Sequence, residues 1–592
     1  MIKSVRNKLK NDKYALYLLA FSIFITIALI YINSTTNMLG RFYLDAYFYL
    51  IQSLRYSGYH IGGYAFINYF PPLVPFLTSL LFRLGIVGDY SIFAVAGVFY
   101  IFAVLGVYYL LKLRFEDKLA AIGAFFYGSL SINIMWVANG TIDIPSVALS
   151  IWALYTFILA IEKNQKYFYL AIPLAVLSFF AKYIGGLIIP IMIIYVLSKK
   201  DIFGNICKYI KHFIGGTLLS FIFIIPFLAH YYINKIPFGF LNQAANISDV
   251  SNKVSSAVAT VPHNDLLYYL FFIPRFVCRQ VPLIGIPILI AAIVGVIYIV
   301  FRFRKSLLIN DFNIGNKLSL SFLPKIKLHK NIYYCGLFGS IILFLVSFLL
   351  ASKVSFIILE AVFFIGVLIF AISFNSIFND FDKYKWFNYD ITMFVWFFSY
   401  LIFFSSHLIK ADRYFIVFAP SFVALIISSL NITIEHLDLY SAFLRKNYIN
   451  DKSSKITTQI KVKLAIWNDK YNLSRLIPVV FICIFLITNI GYLTMDKHDT
   501  LVDDEKNTSL WIKNNIPNYD KVNIWADRGP IYTWYLGTEV HYRKDAMNLT
   551  DLSLFLNENN ATYYISLGNK NLEGFKSIKQ IGEVTVYKNS LV

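Results

Sequence analysis

The sequence is poor in cysteine, in acids and in charge generally. Its four cysteines, Cys207, Cys278, Cys335 and Cys483, lie far apart, and no Cys-x-x-Cys spacing occurs. That excludes a disulfide-built scaffold and a cysteine zinc site. Only 15% of the 592 residues are charged, and 33 acids face 53 lysines and arginines, for a net charge of +20. The basic excess is dispersed between apolar runs rather than gathered into a stripe, which argues against a nucleic-acid partner. There is no low-complexity segment. No internal repeat is evident either, which removes the usual sign of an inverted-repeat transporter.

What is present in abundance is apolar sequence. Hydrophobic residues make up 58% of the chain and the mean hydropathy is +0.62, values that belong to a polytopic α-helical membrane protein. The basic segment 1–13 leads into an apolar run at about 14–34 without a small-residue cleavage site. It reads as an uncleaved first membrane helix, with a signal peptide as the alternative. An outer loop at 35–89 follows. Within it, 44–57 reads as an amphipathic helix lying along the membrane surface, and 71–84 as a short juxtamembrane or re-entrant helix. Twelve further apolar runs follow, ending with one at about 476–494, which gives about thirteen membrane helices.

Charge counting orients them. The segments assigned to the inner side hold 31 of the 53 lysines and arginines, the outer loops 11 and the C-terminal tail 11. By the positive-inside rule the N-terminus is cytoplasmic and the tail extracytoplasmic. The chain thus divides into a membrane domain, 1–494, and a C-terminal domain, 495–592. The tail carries 13 acids against its 11 bases and alternates helical with strand-like stretches, so it reads as a small α/β domain. KVNIWA, ATYYISL and IGEVTVYK are its expected strands.

The outer loops hold six acids: Asp45, Asp89, Asp143, Asp249, Asp265 and Asp412. Asp45 (LDAYFYL) and Asp143 (NGTIDIPS) each follow the end of an outgoing helix and precede apolar sequence. Lys182 (FFAKYIGG) occupies a similar place. His407, Lys410, Asp412 and Arg413 cluster in SSHLIKADRYF, and Arg275 and Arg279 sit in IPRFVCRQ. Acids and cations converging on one membrane face suit a lipid-phosphate substrate, because a carboxylate at the bilayer edge is costly to keep. Each also has a structural reading. Asp45 could cap its helix, and Asp143 could do so with Pro145 behind it. Lys182 could reach to the interface. Arg413 could pair with Asp412 or anchor at headgroups. For Arg275, Arg279 and His263 the structural reading leads.

These features together resemble the GT-C superfamily of membrane glycosyltransferases. They are an outgoing first helix with Asp45 beyond it, Pro71-Pro72-Leu73, Asp143-Ile144-Pro145 after the third helix, Lys182 after the fifth, and Arg413-Tyr414 before a late helix. Within the superfamily the chain is similar to the branch of the protein O-mannosyltransferases and the lipid A aminoarabinose transferase. The resemblance implies a sugar donor carried on a polyprenyl phosphate and a hydroxyl acceptor on a protein, lipid or glycan. It implies that Asp45 is the catalytic first-loop aspartate, that Asp143 is a second acid at the site, and that Lys182 and Arg413 bind the donor phosphate, with His407, Arg275 and Arg279 as further substrate-binding candidates. A divalent metal is left optional, because a phosphate leaving group already carries charge. Two positions depart from the pattern. Ala46 follows Asp45 where the protein O-mannosyltransferases carry Asp-Glu, and Tyr69-Phe70 stand where the aminoarabinose transferase carries Glu-Lys. Two other readings stay open: an oligosaccharyltransferase-like enzyme, faintly suggested by Trp525-Ala526-Asp527-Arg528-Gly529, and a transporter or flippase of lipid-linked sugars.

Overall fold

In the computed structural model, the structure describes residues 12–36, 44–59, 61, 70–137, 140–198, 206–233, 235, 239–241, 266–309, 317–319, 327–351, 353–377, 386–406, 410–448, 483, 487, 489, 500–542 and 548–590. The first helix, α1 (Lys13–Thr36), is apolar over most of its length, between Lys13 and a polar Asn-Ser-Thr-Thr end. Two short helices follow, α2 (Asp45–Tyr56) and α3 (Leu73–Arg83). The bundle continues with α4 (Tyr90–Leu111), α5 (Asp117–Ser129), α6 (Ser131–Val137), α7 (Asp143–Glu162), α8 (Phe168–Ala181), α9 (Ile188–Leu197) and α10 (Ile206–Ile233). After two small helices, α11 (Tyr268–Phe271) and α12 (Ile273–Val277), come α13 (Pro282–Ile309), α14 (Lys330–Leu349), α15 (Phe356–Ile377), α16 (Phe387–Ser406) and α17 (Phe415–Tyr448). A small antiparallel ladder, β1 (Lys317–Ser319) with β2 (Lys327–His329), joins α13 to α14.

Among the described residues eight helices are long and apolar enough to cross a bilayer, and a ninth span results if α5 and α6, bent by 54° at Leu130, count as one. Helices α8, α9 and α13 supply shorter apolar stretches. The first twelve expected membrane helices therefore each have a helix in the structure. The thirteenth, at 476–494, lies outside the described residues except for Cys483, Ile487 and Asn489. The break between α5 and α6 exposes backbone groups that hydrocarbon cannot satisfy. Asn489 closes it by donating to the Ser129 carbonyl (2.7 Å) and accepting from Ser131 Oγ (2.5 Å). Asn133 donates to the Tyr127 carbonyl (2.7 Å). The core sits around α7, α16 and α17, which are buried nearly all round, whereas α10 and α14 leave Leu218, Ile222, Phe338 and Leu345 exposed. In a membrane protein those outer faces meet lipid.

The expected surface helix at 44–57 exists as α2 but does not lie on a surface. Every residue from Ala46 to Leu54 is buried. Helix α3 covers part of it: Ser57 Oγ donates to the Ser79 carbonyl (3.2 Å) and Arg83 Nη2 to the Tyr56 carbonyl (2.5 Å). Phe70 and His230 of the membrane domain cover more of it, and the C-terminal domain packs on the remaining side.

That domain comprises α18 (Thr500–Asn515), β3 (Ile524–Ala526), α19 (Gly529–Leu536), β4 (His541–Tyr542), α20 (Leu549–Glu558), β5 (Tyr563–Leu567), β6 (Phe575–Ile581) and β7 (Val584–Asn589). Its sheet runs β4-β3-β5-β7-β6, with β3 parallel to β4 and β5, and β7 antiparallel to β5 and β6. Gly537, at φ +75°, ends α19 in the left-handed conformation that glycine adopts without strain. The three expected strands are present. Strand β6 was not anticipated: FKSIKQI is an exposed edge strand, so its alternation is too polar to stand out. The boundary proposed at 494/495 lies outside the described residues.

Candidate active site

The site forms where the helix ends of α6, α8 and α16 meet the starts of α2, α7 and α17. Asp45 is the first residue of α2. Leu44 is the N-cap, and no side chain caps this helix. The Asp45 carboxylate instead reaches across 368 residues of sequence to Arg413, with Oδ2 accepting from Nη2 at 3.3 Å. Its side chain remains 35% exposed, against 18% for Arg413. Arg413 stands in a single 3-10 turn (Asp412–Tyr414) that leads into α17, and its guanidinium lies 5.7 Å from the Trp136 ring and 5.5 Å from the Tyr414 ring.

Tyr414 is the hub. Its ring stacks on Phe404 at 4.5 Å, and Lys182 Nζ lies 4.7 Å from its centroid. Lys182 follows the last residue of α8 and ion-pairs with Asp143 at the start of α7. Asp143 is completely buried, and its second oxygen accepts from Thr141 Oγ1 at 2.6 Å. The backbone N–H of Lys182 donates to the Ser178 carbonyl (3.0 Å). The following turn passes so close to Ser146 and Ser178 that only a glycine fits at Gly185. Burial pulls the Lys182 ammonium below the ordinary lysine range, the nearby Arg413 adds to this, and Asp143 and Asp45 oppose it. Two cations and two carboxylates thus share one small electrostatic neighbourhood around an aromatic ring.

Beside it is a second group. Asp412 accepts from Tyr268 Oη (2.5 Å) and pairs with Arg279 Nη1 (3.7 Å). Arg279 also donates to Met135 Sδ (2.9 Å), one residue from Trp136, so this pair adjoins the first. Arg275 lies 6.0 Å from the Phe272 ring and within electrostatic reach of Tyr268. It makes no ion pair among the described residues. His407, His263, Asp249 and Asp265 lie outside the described residues. Lys410 is used structurally, donating to the Phe404 (3.0 Å) and Ser405 (2.6 Å) carbonyls at the end of α16. Asp89 accepts from the Tyr90 amide (3.1 Å) at the start of α4. Among the described residues no three His, Cys, Asp or Glu side chains gather as a metal site.

Sequence reasoning did not single out Trp136, Tyr268 or Thr141, and gave Tyr414 only as the neighbour of Arg413. In a chain with 18% aromatic residues nothing marks three rings out. Thr141 was visible only within the NGTIDIPS segment that carries Asp143. In the Trp525–Gly529 stretch, the Asp527 carboxylate is consumed within its own domain: it accepts from Tyr564 Oη, from the Leu567 amide (2.9 Å) and from Lys570 Nζ (2.7 Å).

Comparison with known proteins now adds to this geometry. The model of the dolichyl-phosphate-mannose-protein mannosyltransferase family matches residues 70–230, a span that includes Asp143 and Lys182 and stops short of Asp45 and Arg413. The fold is similar to that of ArnT from Cupriavidus metallidurans bound to undecaprenyl phosphate, with 10% identity over 97% of this chain and 98% of that one and a TM-score of 0.54. The apo state of the same protein gives 9% identity, 98% of each chain and a TM-score of 0.53. The archaeal oligosaccharyltransferase AglB from Archaeoglobus fulgidus, in complex with an inhibitory peptide and a dolichol-phosphate, gives 14% identity over 94% of this chain and 70% of that one, with a TM-score of 0.49. No curated protein sequence matches the chain.

Proposed function

We propose, starting from a chain with the GT-C membrane glycosyltransferase fold of the ArnT and protein mannosyltransferase type, that this protein transfers one sugar from a polyprenyl-phosphate donor to an acceptor hydroxyl. The observation that carries this reading is the arrangement around Tyr414: one half-open carboxylate, Asp45, and two cations, Arg413 and Lys182, on a single ring.

The chemistry follows from that arrangement. The acceptor oxygen attacks the anomeric carbon while the bond from that carbon to the phosphate oxygen breaks on the opposite side. The bonding pair leaves with the polyprenyl phosphate, and the hydroxyl proton passes to Asp45. A general base so placed contributes about 10²–10⁴-fold in rate. Arg413 and Lys182 stabilise the charge gathering on the leaving phosphate, which is where fixed cations gain most. Asp143 is the anchor in this scheme. With Lys182 on one oxygen and Thr141 on the other, it holds the lysine rather than taking a proton. Arg279 and Arg275, beside Asp412 and Tyr268, lie where a phosphate or acceptor group passing Met135 would meet them. The N-terminus is cytoplasmic, so the site and the C-terminal domain face the extracytoplasmic side, with the donor's lipid tail against the apolar helices.

The test is transfer from labelled polyprenyl-phosphate hexoses by the purified protein and by Asp45→Asn. Label reaching a membrane-extract acceptor with wild type alone supports the reading. Full turnover by the variant removes Asp45 from its role.

A further inference from the structure

The C-terminal domain does not hang free of the bundle. Its helix α19 packs directly on α2, the helix that begins with Asp45. Tyr535 meets Tyr47 edge-on, with ring centroids 6.0 Å apart and hydroxyls 3.3 Å apart. Tyr47 is two residues from Asp45 and fully buried. On the other side of α19, Trp534 stacks on Phe82 of α3 at 5.9 Å. Ile531 is fully buried and belongs to the apolar core of the membrane domain rather than to that of its own domain. Tyr542 of β4 adds an edge contact to Phe48 (6.1 Å), whose opposite partner is Phe70 of the membrane domain (5.4 Å). At the far end of α2, Arg55 lies within electrostatic reach of Glu539.

We propose that α19 of the C-terminal domain fixes the position of Asp45, with Tyr535 and Trp534 as positioning residues, so that the domain is part of the catalytic unit. This rests on the reading of Asp45 as general base. The physical argument is that α2 cannot fix itself. A helix of 12 residues is marginal alone, so its placement comes from what it packs against. Its first residue carries the carboxylate and has no side-chain cap to hold it. The membrane helices and α3 cover one side, and α19 and β4 close the other. A reacting group displaced by about 1 Å can lose on the order of 10²-fold in rate, so whatever holds α2 also holds the rate. Rings do this better than long polar side chains, because they fill area with few rotatable bonds.

The experiment uses the full chain with Trp534→Ala/Tyr535→Ala, with Tyr535→Phe, and with Leu556→Ala, which loosens an apolar cluster of the same domain that, among the described residues, includes none from α2. Transfer kinetics and amide hydrogen exchange of residues 46–56 are measured together. The double variant is expected to lose about 10–100-fold in kcat, to keep its donor KM within about twofold, and to exchange faster along α2. Tyr535→Phe keeps the ring and is expected to restore most of the loss. Leu556→Ala is expected to leave kcat and α2 exchange near wild type. Unchanged kcat and exchange in the double variant would overturn the proposal, as would an equal loss in Leu556→Ala. Should wild type transfer nothing, the proposed function fails, and the exchange measurement alone still decides whether α19 holds α2.

Discussion

Two arginine–aspartate pairs stand at opposite ends of the helical bundle and differ in almost every respect. Arg114 and Asp390, at the end of α4 and the start of α16, form an ion pair with side chains only 5% and 10% exposed. Arg114 also donates to Ser428 Oγ (3.2 Å) and lies against the rings of Phe115 (4.9 Å) and Tyr389 (5.9 Å). Both rings lie beside its guanidinium, and the pair joins α4, α16 and α17. Arg413 and Asp45 share a single longer contact, and Asp45 has no second hydrogen bond among the described residues. The first pair is closed, with its desolvation already compensated. The second is more open, with the Asp45 carboxylate 35% exposed, which is what the proposed roles of proton acceptor and phosphate ligand require. Between these two pairs the difference is exposure rather than charge.

That contrast can be broken in a graded way. The largest effect belongs to Asp45→Asn, expected to lower turnover by about 10²–10⁴-fold while leaving the thermal midpoint in detergent unchanged. A drop in that midpoint comparable with the drop in rate would make Asp45 a structural residue. Arg114→Met should behave oppositely. It leaves Asp390 buried without its partner, which typically costs about 3–5 kcal/mol of stability, while the folded fraction keeps its specific activity. Replacing both Arg114 and Asp390 by apolar residues should recover much of that loss, a cycle read by denaturation of the purified protein.

A smaller kinetic effect is expected for Lys182→Ala, a loss of about 10–100-fold in donor affinity, the range for one charge-assisted phosphate contact of about 1.5–3 kcal/mol, together with a loss of stability because Asp143 is left buried without its cation. The pH dependence carries the same signature. The Lys182 pKa is depressed by burial, so its charge is complete only below that depressed value. Donor binding should therefore be lost as pH rises, at a pH below the ordinary lysine value of about 10.4. For stability the sign reverses: the neutral amine suits the fold, and charging Lys182 costs stability as pH falls. Donor titration against pH in wild type and Lys182→Ala separates the two, since the alkaline loss should vanish in the variant. The smallest effect is expected for Asp117→Ala, whose carboxylate is half-exposed at its contact with Lys112, about 0–1 kcal/mol with no change in kinetics.

How much of this could be read from the chain depends on which forces set each feature. The membrane helices were legible because each needs its own uninterrupted apolar run, a property of consecutive residues. Asp45, Asp143, Lys182 and Arg413 were legible because charges at helix ends stand out against apolar sequence, and the structure gathers all four around Tyr414. Their pairing was not legible: the alternative of Arg413 with the adjacent Asp412 looked just as sound. The structure instead gives Asp412 to Tyr268 and Arg279. The amphipathic pattern of α2 predicted a helix correctly and its surroundings incorrectly, because its second face is covered by residues nearly 500 positions away.

The sequence alone determined that this protein crosses a membrane many times, which helix ends carry charge, and that an α/β tail follows. All of these are set by composition and by neighbours along the chain. Tertiary structure alone decided which carboxylate is half-exposed beside Arg413 and which is buried against Lys182. It also placed the Tyr414 ring beside both cations and set the C-terminal domain on α2. Those outcomes depend on burial, and burial is fixed by contacts between segments distant in the chain, whose local sequence carries no record of one another.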